Sequence, residues 1–411
     1  MISEASLVEE VDALFAGRQD LVDDPYPMYR RMREHAPALW YGSQVLLTRY
    51  VDVEVALRDP SKFSHETYSG SFFREFMGRL SPADADAFAK ITAFKLLWMS
   101  AMDAPEHSRL RALVHKVFTP RRIAEMRPRV ERITADLIAD LRGRETAEVV
   151  HDYAYGLPIY VIADMLGAPP EDWMAIREWS STLAAFQPPH YDEIQKTWTA
   201  IVEFRAYVER LIAERRTTEH TDLLAALLEV ELDGDRLTQQ ELEAMFVLLF
   251  FAGHETTTNL ISNGVYRLLS HPDQLSLLKG DPTLIVNAVE ELLRYDTNVQ
   301  TGPRMAARDL VVDGVQIPKG TTVTALIAAA NRDPARFPDP DRLDIEREEN
   351  KHLGFSVGPH YCLGQALARL EAQIAIGTFF QEFPEAELSG EVHWRPNIHQ
   401  RRVIELPVTL G

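Results

Sequence analysis

The chain has 411 residues, 46% of them hydrophobic, enough to bury a large core. Its formal net charge of −19 disfavours non-specific binding to nucleic acid. A single cysteine, Cys362, excludes an intrachain disulfide and any multi-cysteine zinc or iron–sulfur site.

The first residues show no basic segment followed by an apolar run, so no signal peptide is expected. The longest apolar run, 244–252, is too short to span a bilayer, which points to a cytoplasmic protein without a membrane anchor. Residues 1–24 form an N-terminal segment with no assigned element. Asp24-Pro25-Tyr26-Pro27 opens a short amphipathic helix reaching Glu34. Residues 38–41 and 45–48 read as a hairpin around Gly42-Ser43, and 51–58 as a helix ending before Asp59-Pro60. Repeats and low-complexity linkers are absent, so residues 1–411 are expected to form one domain. That domain should be mainly α with small β-sheets, its strands near 37–50 and 300–330 and its helices concentrated between about 100 and 300.

Residues 64–104 mix aromatics (Phe72, Phe73, Phe88, Phe94, Trp98) with Gly and Ser, and a helix is plausible only near 82–90. So long a stretch without regular structure is either functional or hides an element. Pro105 then suits a helical first turn, which sets His107 and Arg111 four apart on one face. Two such donors can clamp a carboxylate; taken alone, the pair reads more simply as a solvated basic face. Residues 105–132 hold eight Lys/Arg against three Glu, an excess able to steer an acidic partner.

Further helices are expected over 122–142, 157–166, 170–185, 191–216 and 222–231, with a break at Gln187-Pro188-Pro189-His190. Thr238-x-x-Glu241 fits a capping box opening a long helix to Leu269. Inside it, Ala252-Gly253-His254-Glu255-Thr256-Thr257-Thr258 is poor helix material, because glycine and β-branched residues both weaken helices. The Thr256 hydroxyl can bond the Ala252 carbonyl, bending the helix and opening a groove. A local rule broken inside an element is where function is expected. Glu291 and Arg294 then share a face of a helix over 283–295, and strands are expected at 305–307, 310–312, 315–317 and 322–326.

Last comes Gly354-Phe355-Ser356-Val357-Gly358-Pro359-His360-Tyr361-Cys362-Leu363-Gly364, a Gly/Pro loop delivering a cysteine to a helix rich in Ala, Leu, Gln, Arg and Glu. A thiol there feels the positive helix end, which favours the thiolate, a nucleophile or a metal ligand. No spacing for a cysteine hydrolase accompanies it.

Phe355-x-x-Gly358-x-His360-x-Cys362-x-Gly364 resembles the haem-binding signature of the cytochrome P450 family, and the other motifs follow in that family's order from Pro25 to the C-terminus. Ser356, where glycine is frequent, and Pro359 depart from the commonest form. The resemblance implies the P450 fold, a triangular prism of helices enclosing haem b, with Cys362 as the axial thiolate on iron. It further implies that Phe355, Gly364 and Ala252 line the haem while His107, Arg111, Arg304 and His360 hold its propionates. Thr256 would hydrogen-bond dioxygen, and Glu255 would relay protons toward it. Glu291 and Arg294 would form a structural ion pair completed by Arg342.

A mobile lid is implied at 187–190. Substrate would be met by Phe94, Leu97, Trp98, Leu183, Phe186, Val247, Phe251, Val299 and Ile398, largely apolar positions suiting a lipophilic secondary-metabolite intermediate. A substrate bound to a carrier protein is left open. A ferredoxin or flavodoxin-type donor would dock on Arg109, Lys116, Arg121 and Arg122, and the protein would be a monomer. The expected activity is hydroxylation or epoxidation with dioxygen; the alternatives are a peroxide-driven peroxygenase and a non-catalytic haem or small-molecule binding protein.

Overall fold

In a computed structural model of the chain, residues 3–186, 193–218, 220–397 and 399–411 are described. The chain divides into two compact units, Met1–Phe72 with Thr134–Leu157 and Thr256–Gly411, and Phe73–Ile133 with Pro158–Glu255. Helices dominate, and the sheets are small.

The first unit is built on a five-stranded sheet in the order Ala38–Tyr41, Gln44–Leu47, Thr322–Leu326, Thr301–Ala306, Phe63–Ser64. Gln44–Leu47 pairs in parallel with Thr322–Leu326, which is antiparallel to Thr301–Ala306. Val45, Leu47, Val323 and Ala325 are buried with Val53 and Leu57 of the helix Tyr50–Arg58, so one apolar cluster joins sheet and helix. The expected Asp313-Gly314 turn is present between Leu310–Val312 and Val315–Ile317, with both residues at positive φ, as a two-residue hairpin demands. The N-terminal segment holds an element that was not assigned, the helix Glu4–Phe15. Ser3 caps it by accepting from the Ser6 amide, and Leu7, Val11 and Leu14 bury its inner face.

In the second unit, Pro82–Lys95 is a longer helix than the expected 82–90, capped by Ser81. Trp173–Ala185 and Ile194–Arg215 pack together, and Ile194–Arg215 also packs on Pro82–Lys95. The expected helix over 122–142 is two, Pro120–Glu125 and Arg127–Leu141. Pro128 has no N–H to continue the first helix, which accounts for the break at Met126. The break expected at residues 187–190 lies outside the described residues. The longest helix, Gln239–Leu269, begins at the expected capping box: the Thr238 hydroxyl accepts from the Glu241 amide, and the Glu241 carboxylate accepts from the Thr238 amide. Phe246 and Phe250 on its first half pack edge-to-face against Phe204, which anchors that face of the helix. The helix runs unbroken through 252–258, contrary to any interruption of the spiral itself.

Candidate active site

The cysteine loop is held from several sides within the first unit. The Cys362 amide donates to the Phe355 carbonyl at 2.9 Å, closing the loop on itself, and the half-buried Cys362 sits just before Gly364, the N-cap of the helix Gln365–Glu382. Ser356 has φ +60, the left-handed region that explains the usual preference for glycine there. Gly358 is also left-handed, and a Cβ on it would lie 2.9 Å from the Arg58 backbone, so only glycine fits. Above Gly364 nothing lies within 4 Å of an added Cβ. The Phe355 ring lies under the Arg369 guanidinium at 4.5 Å. Glu290 accepts from Arg369 at 2.5 Å and pairs with His352 at 3.1 Å, tying the loop to the helix Ile285–Tyr295.

Arg304 projects from Thr301–Ala306 opposite Val323 and is 4% exposed. The His360 ring stacks on His65, centroids 3.3 Å apart. His65 follows directly on the edge strand Phe63–Ser64, and nothing in its sequence context singled it out. In the second unit, the helix Glu106–Val117 carries His107, which is buried, and Arg111, which is half-buried. Burial, then the neighbouring Arg111 charge, pushes the His107 imidazole below its ordinary pKa, so it is neutral at neutral pH.

Along the long helix the burial pattern is informative. His254, Glu255, Thr257 and Thr258 are buried, whereas Ala252 is exposed and Phe251, Gly253 and Thr256 are half-buried. Ala252 and Thr256, four apart, share one face, and Ala252 is the one exposed position between Glu241 and Leu269. The Asn298 side-chain amide donates to the Thr256 carbonyl, an external donor on a mid-helix carbonyl. In the second unit, Glu255 accepts from the Ser181 hydroxyl at 3.1 Å, and its Oε1 lies 3.4 Å from His254 Nε2. His254 Nδ1 donates to the Phe250 carbonyl at 3.0 Å and lies 3.1 Å from Ser180 Oγ. Because a carbonyl only accepts, that bond places a proton on Nδ1 and aims Nε2 at the carboxylate.

Two sequence expectations are corrected. Arg342 does not complete the Glu291–Arg294 pair with its side chain, which is exposed; its carbonyl accepts from Arg294 at 3.0 Å. Arg347 supplies the second guanidinium, at 3.2 Å from Glu291. Asp339 at φ +44 turns the 338–347 loop so that carbonyls 340 and 342 face inward. Arg109 is not a free docking charge, because it pairs with Asp235 at 3.0 Å and with Glu241. Lys116 and Arg121 are exposed and Arg122 is half-buried, although Arg121 also pairs with Glu125.

Of the substrate positions, Phe94, Trp98, Leu183, Phe186 and Val247 are buried and Leu97 and Phe251 half-buried, all in the second unit. Val299, half-buried, bridges to Gln400 in the first. Ile398 lies outside the described residues.

The profile of the cytochrome P450 family matches residues 162–279 and 283–405. The chain belongs to the cytochrome P450 family. It is 40% identical to cytochrome P450 107B1 of Saccharopolyspora erythraea over 98% of this chain and 99% of that one. It is 41% identical to the P450 monooxygenase PikC of Streptomyces venezuelae, over 95% and 92%. The crystal structure of P450BioI in complex with hexadec-9Z-enoic acid ligated acyl carrier protein superposes with a TM-score of 0.87, at 35% identity, over 96% of this chain and 100% of that one. The P450 fold and a monooxygenase activity follow.

The family implies haem held by a cysteine thiolate, and the residues fit it. Among the described residues no group of three or more His, Cys, Asp or Glu could hold a metal ion. Within the first unit, the buried Arg304 guanidinium and the His360 imidazole of the cysteine loop are donors of the kind that carboxylates on such a prosthetic group require. No helix among the described residues is long and apolar enough to cross a membrane.

Proposed function

We propose that the chain hydroxylates or epoxidises a mainly apolar organic molecule of secondary metabolism with dioxygen and two externally supplied electrons. The bound group would be haem b, held by Cys362 through its thiolate and by His107, Arg111, Arg304 and His360 through its propionates. When bound, haem with a thiolate ligand supplies the dioxygen chemistry. The single observation that carries the reading is the exposed Ala252 and half-buried Thr256 on one face in the middle of the long helix, beside a buried carboxylate already hydrogen-bonded to Ser181.

The protein's own part is positional. The Thr256 hydroxyl holds a proton at that face, where a polar donor in an apolar, water-poor setting protonates an oxygen rather than releasing it. Glu255 Oε1 accepts from the Ser181 hydroxyl and passes protons toward Thr256, which extends the expected two-residue relay to three. Phe355 and Arg369 keep the cysteine loop in register with the helix Ile285–Tyr295. Glu291, Arg294 and Arg347 brace that same helix.

The electron donor is read as a ferredoxin or flavodoxin-type protein meeting Lys116, Arg121 and Arg122, with the charge of Arg109 partly offset by Asp235 and Glu241. A carrier-bound acyl substrate is favoured as a second reading by the likeness to the P450BioI complex. Turnover of a panel of lipophilic compounds with a surrogate ferredoxin, its reductase and 18O-labelled dioxygen tests the proposal. Products carrying one 18O atom are expected. Turnover driven by peroxide alone, with no label from dioxygen, would establish the peroxygenase alternative instead.

A further inference from the structure

Lys95 ends the helix Pro82–Lys95 and is 7% exposed. Its ammonium lies 5.1 Å from the ring centroid of Phe186, 5.5 Å from Trp98 and 6.0 Å from Phe251. Trp98 and Phe251 are themselves in contact, centroids 5.0 Å apart, and Phe88 backs Phe186 at 5.9 Å. All of these residues belong to the second unit.

Several other buried cations differ in kind: Arg294 faces Glu291, Arg401 faces Asp296 and the Arg215 side chain faces Asp222, while the half-buried Arg205, over the Phe94 ring, is paired with Glu243 at 2.9 Å. Lys95 faces no carboxylate and no hydrogen-bond acceptor among the described residues, only π-faces. Burial alone pushes its pKa down to about 8, and no acidic side chain opposes that shift. The group is still mainly an ammonium at neutral pH, with three N–H donors and no acceptor among the described residues. Aromatic faces recover part of the lost hydration of a cation but satisfy none of its donors.

The aromatic wall borders the middle of the long helix: Phe251 belongs to it and directly precedes the exposed Ala252. A molecule lying along that stretch would meet the aromatic wall of Trp98, Phe186 and Phe251 and, at its edge, one positive charge.

We propose that Lys95 is a specificity-determining residue that binds a carboxylate, or a carboxyl-like anionic group, on an otherwise apolar substrate. The aromatic wall takes the apolar body and the ammonium takes the anion. A substrate bearing an amine is disfavoured at the same place by like charge. The inference deepens the monooxygenase reading above and rests on it.

The test uses haem-loaded protein and three acid–ester pairs: dodecanoate, hexadecanoate and 5β-cholanate, each against its methyl ester. Binding is measured by equilibrium dialysis and by the ligand-induced change in haem absorption. Wild-type protein should bind at least one acid about tenfold more tightly than its ester, the discrimination one charge-assisted hydrogen bond supplies. Lys95→Met, which keeps the apolar stem, should bring acid and ester within about twofold by weakening the acid alone. Lys95→Gln serves as the second variant and should behave alike. Equal binding of acids and esters by wild type, or a preference that survives both substitutions, overturns the proposal. The carbon monoxide spectrum of each preparation separates the two levels: a thiolate spectrum with no acid preference sinks only the role of Lys95, whereas its absence in wild type sinks the haem-thiolate reading beneath it.

Discussion

Thr256 and Cys362 were legible as residues because each sits where a local rule is broken, a threonine cluster after glycine inside a helix and a cysteine between glycines ahead of one. Their supports were not. Ser181 reaches Glu255 across 74 positions, Asn298 reaches Thr256 across 42, and neither lies in any pattern that a sequence displays. His65 and Lys95 were equally silent, because an isolated histidine or lysine among aromatics reads as a surface group. Two outcomes follow at this scale. Thr256→Ala should keep the haem and the thiolate spectrum but divert electrons to peroxide, lowering product formed per electron by roughly tenfold or more. Stopped assays that count peroxide and product together check it; undiminished coupling would remove Thr256 from the proton path. Ser181→Ala should slow oxygen-dependent turnover while leaving substrate affinity unchanged, since Glu255 loses a donor and not a substrate contact. Single-turnover rates beside binding titrations read both.

Elements followed from the sequence where capping and turn chemistry were explicit. Thr238-x-x-Glu241 opened the long helix where expected, and Asp313-Gly314 made its hairpin. The helix Glu4–Phe15 went unassigned although its buried residues recur at i, i+4 and i+7, because a polar terminal stretch resembles an unstructured tail. The second guanidinium partner of Glu291 was misplaced by five positions, since the direction in which a loop presents side chain or carbonyl depends on φ at Asp339, not on spacing. The bracing of the helix Ile285–Tyr295 can be dissected accordingly. Glu291, Arg294 and the guanidinium of Arg347 are all buried, so removing Glu291 by substitution to alanine leaves two cations uncompensated and should cost about 3–5 kcal/mol. Arg342→Ala should cost less than about 0.5 kcal/mol, because the structure uses only its carbonyl. Urea titrations of the two variants separate the observed bracing from the expected one.

For the whole molecule, composition excluded more than it identified; the class came from motifs in a fixed order, and the chain's membership of the P450 family bears that out. Acid stability is a property at this scale. Asp296 is buried, which raises its carboxyl, but Arg267 at 2.7 Å and Arg401 at 2.6 Å outweigh burial and hold its pKa at about 2. Glu290 is likewise held at about 2, with Arg369 and His352 prevailing over burial. Both pKa values lie below those of the unfolded chain, so these groups stabilise the fold fully above the ordinary carboxylate range near 4 and lose that contribution as pH falls toward 2. The urea midpoint should therefore drop steeply on acidification from pH about 5, and Asp296→Asn should start lower at neutral pH and show a shallower acid slope. A slope identical to that of wild type would mean that other carboxylates dominate.

The most direct test of the central claim is the absorption spectrum of the purified, reduced protein under carbon monoxide. A strongly red-shifted Soret band, lost in Cys362→Ala, is the predicted result, because only thiolate opposite the gas produces it. An unshifted band in haem-loaded wild-type protein, or an unchanged spectrum after Cys362→Ala, would contradict Cys362 as the ligand.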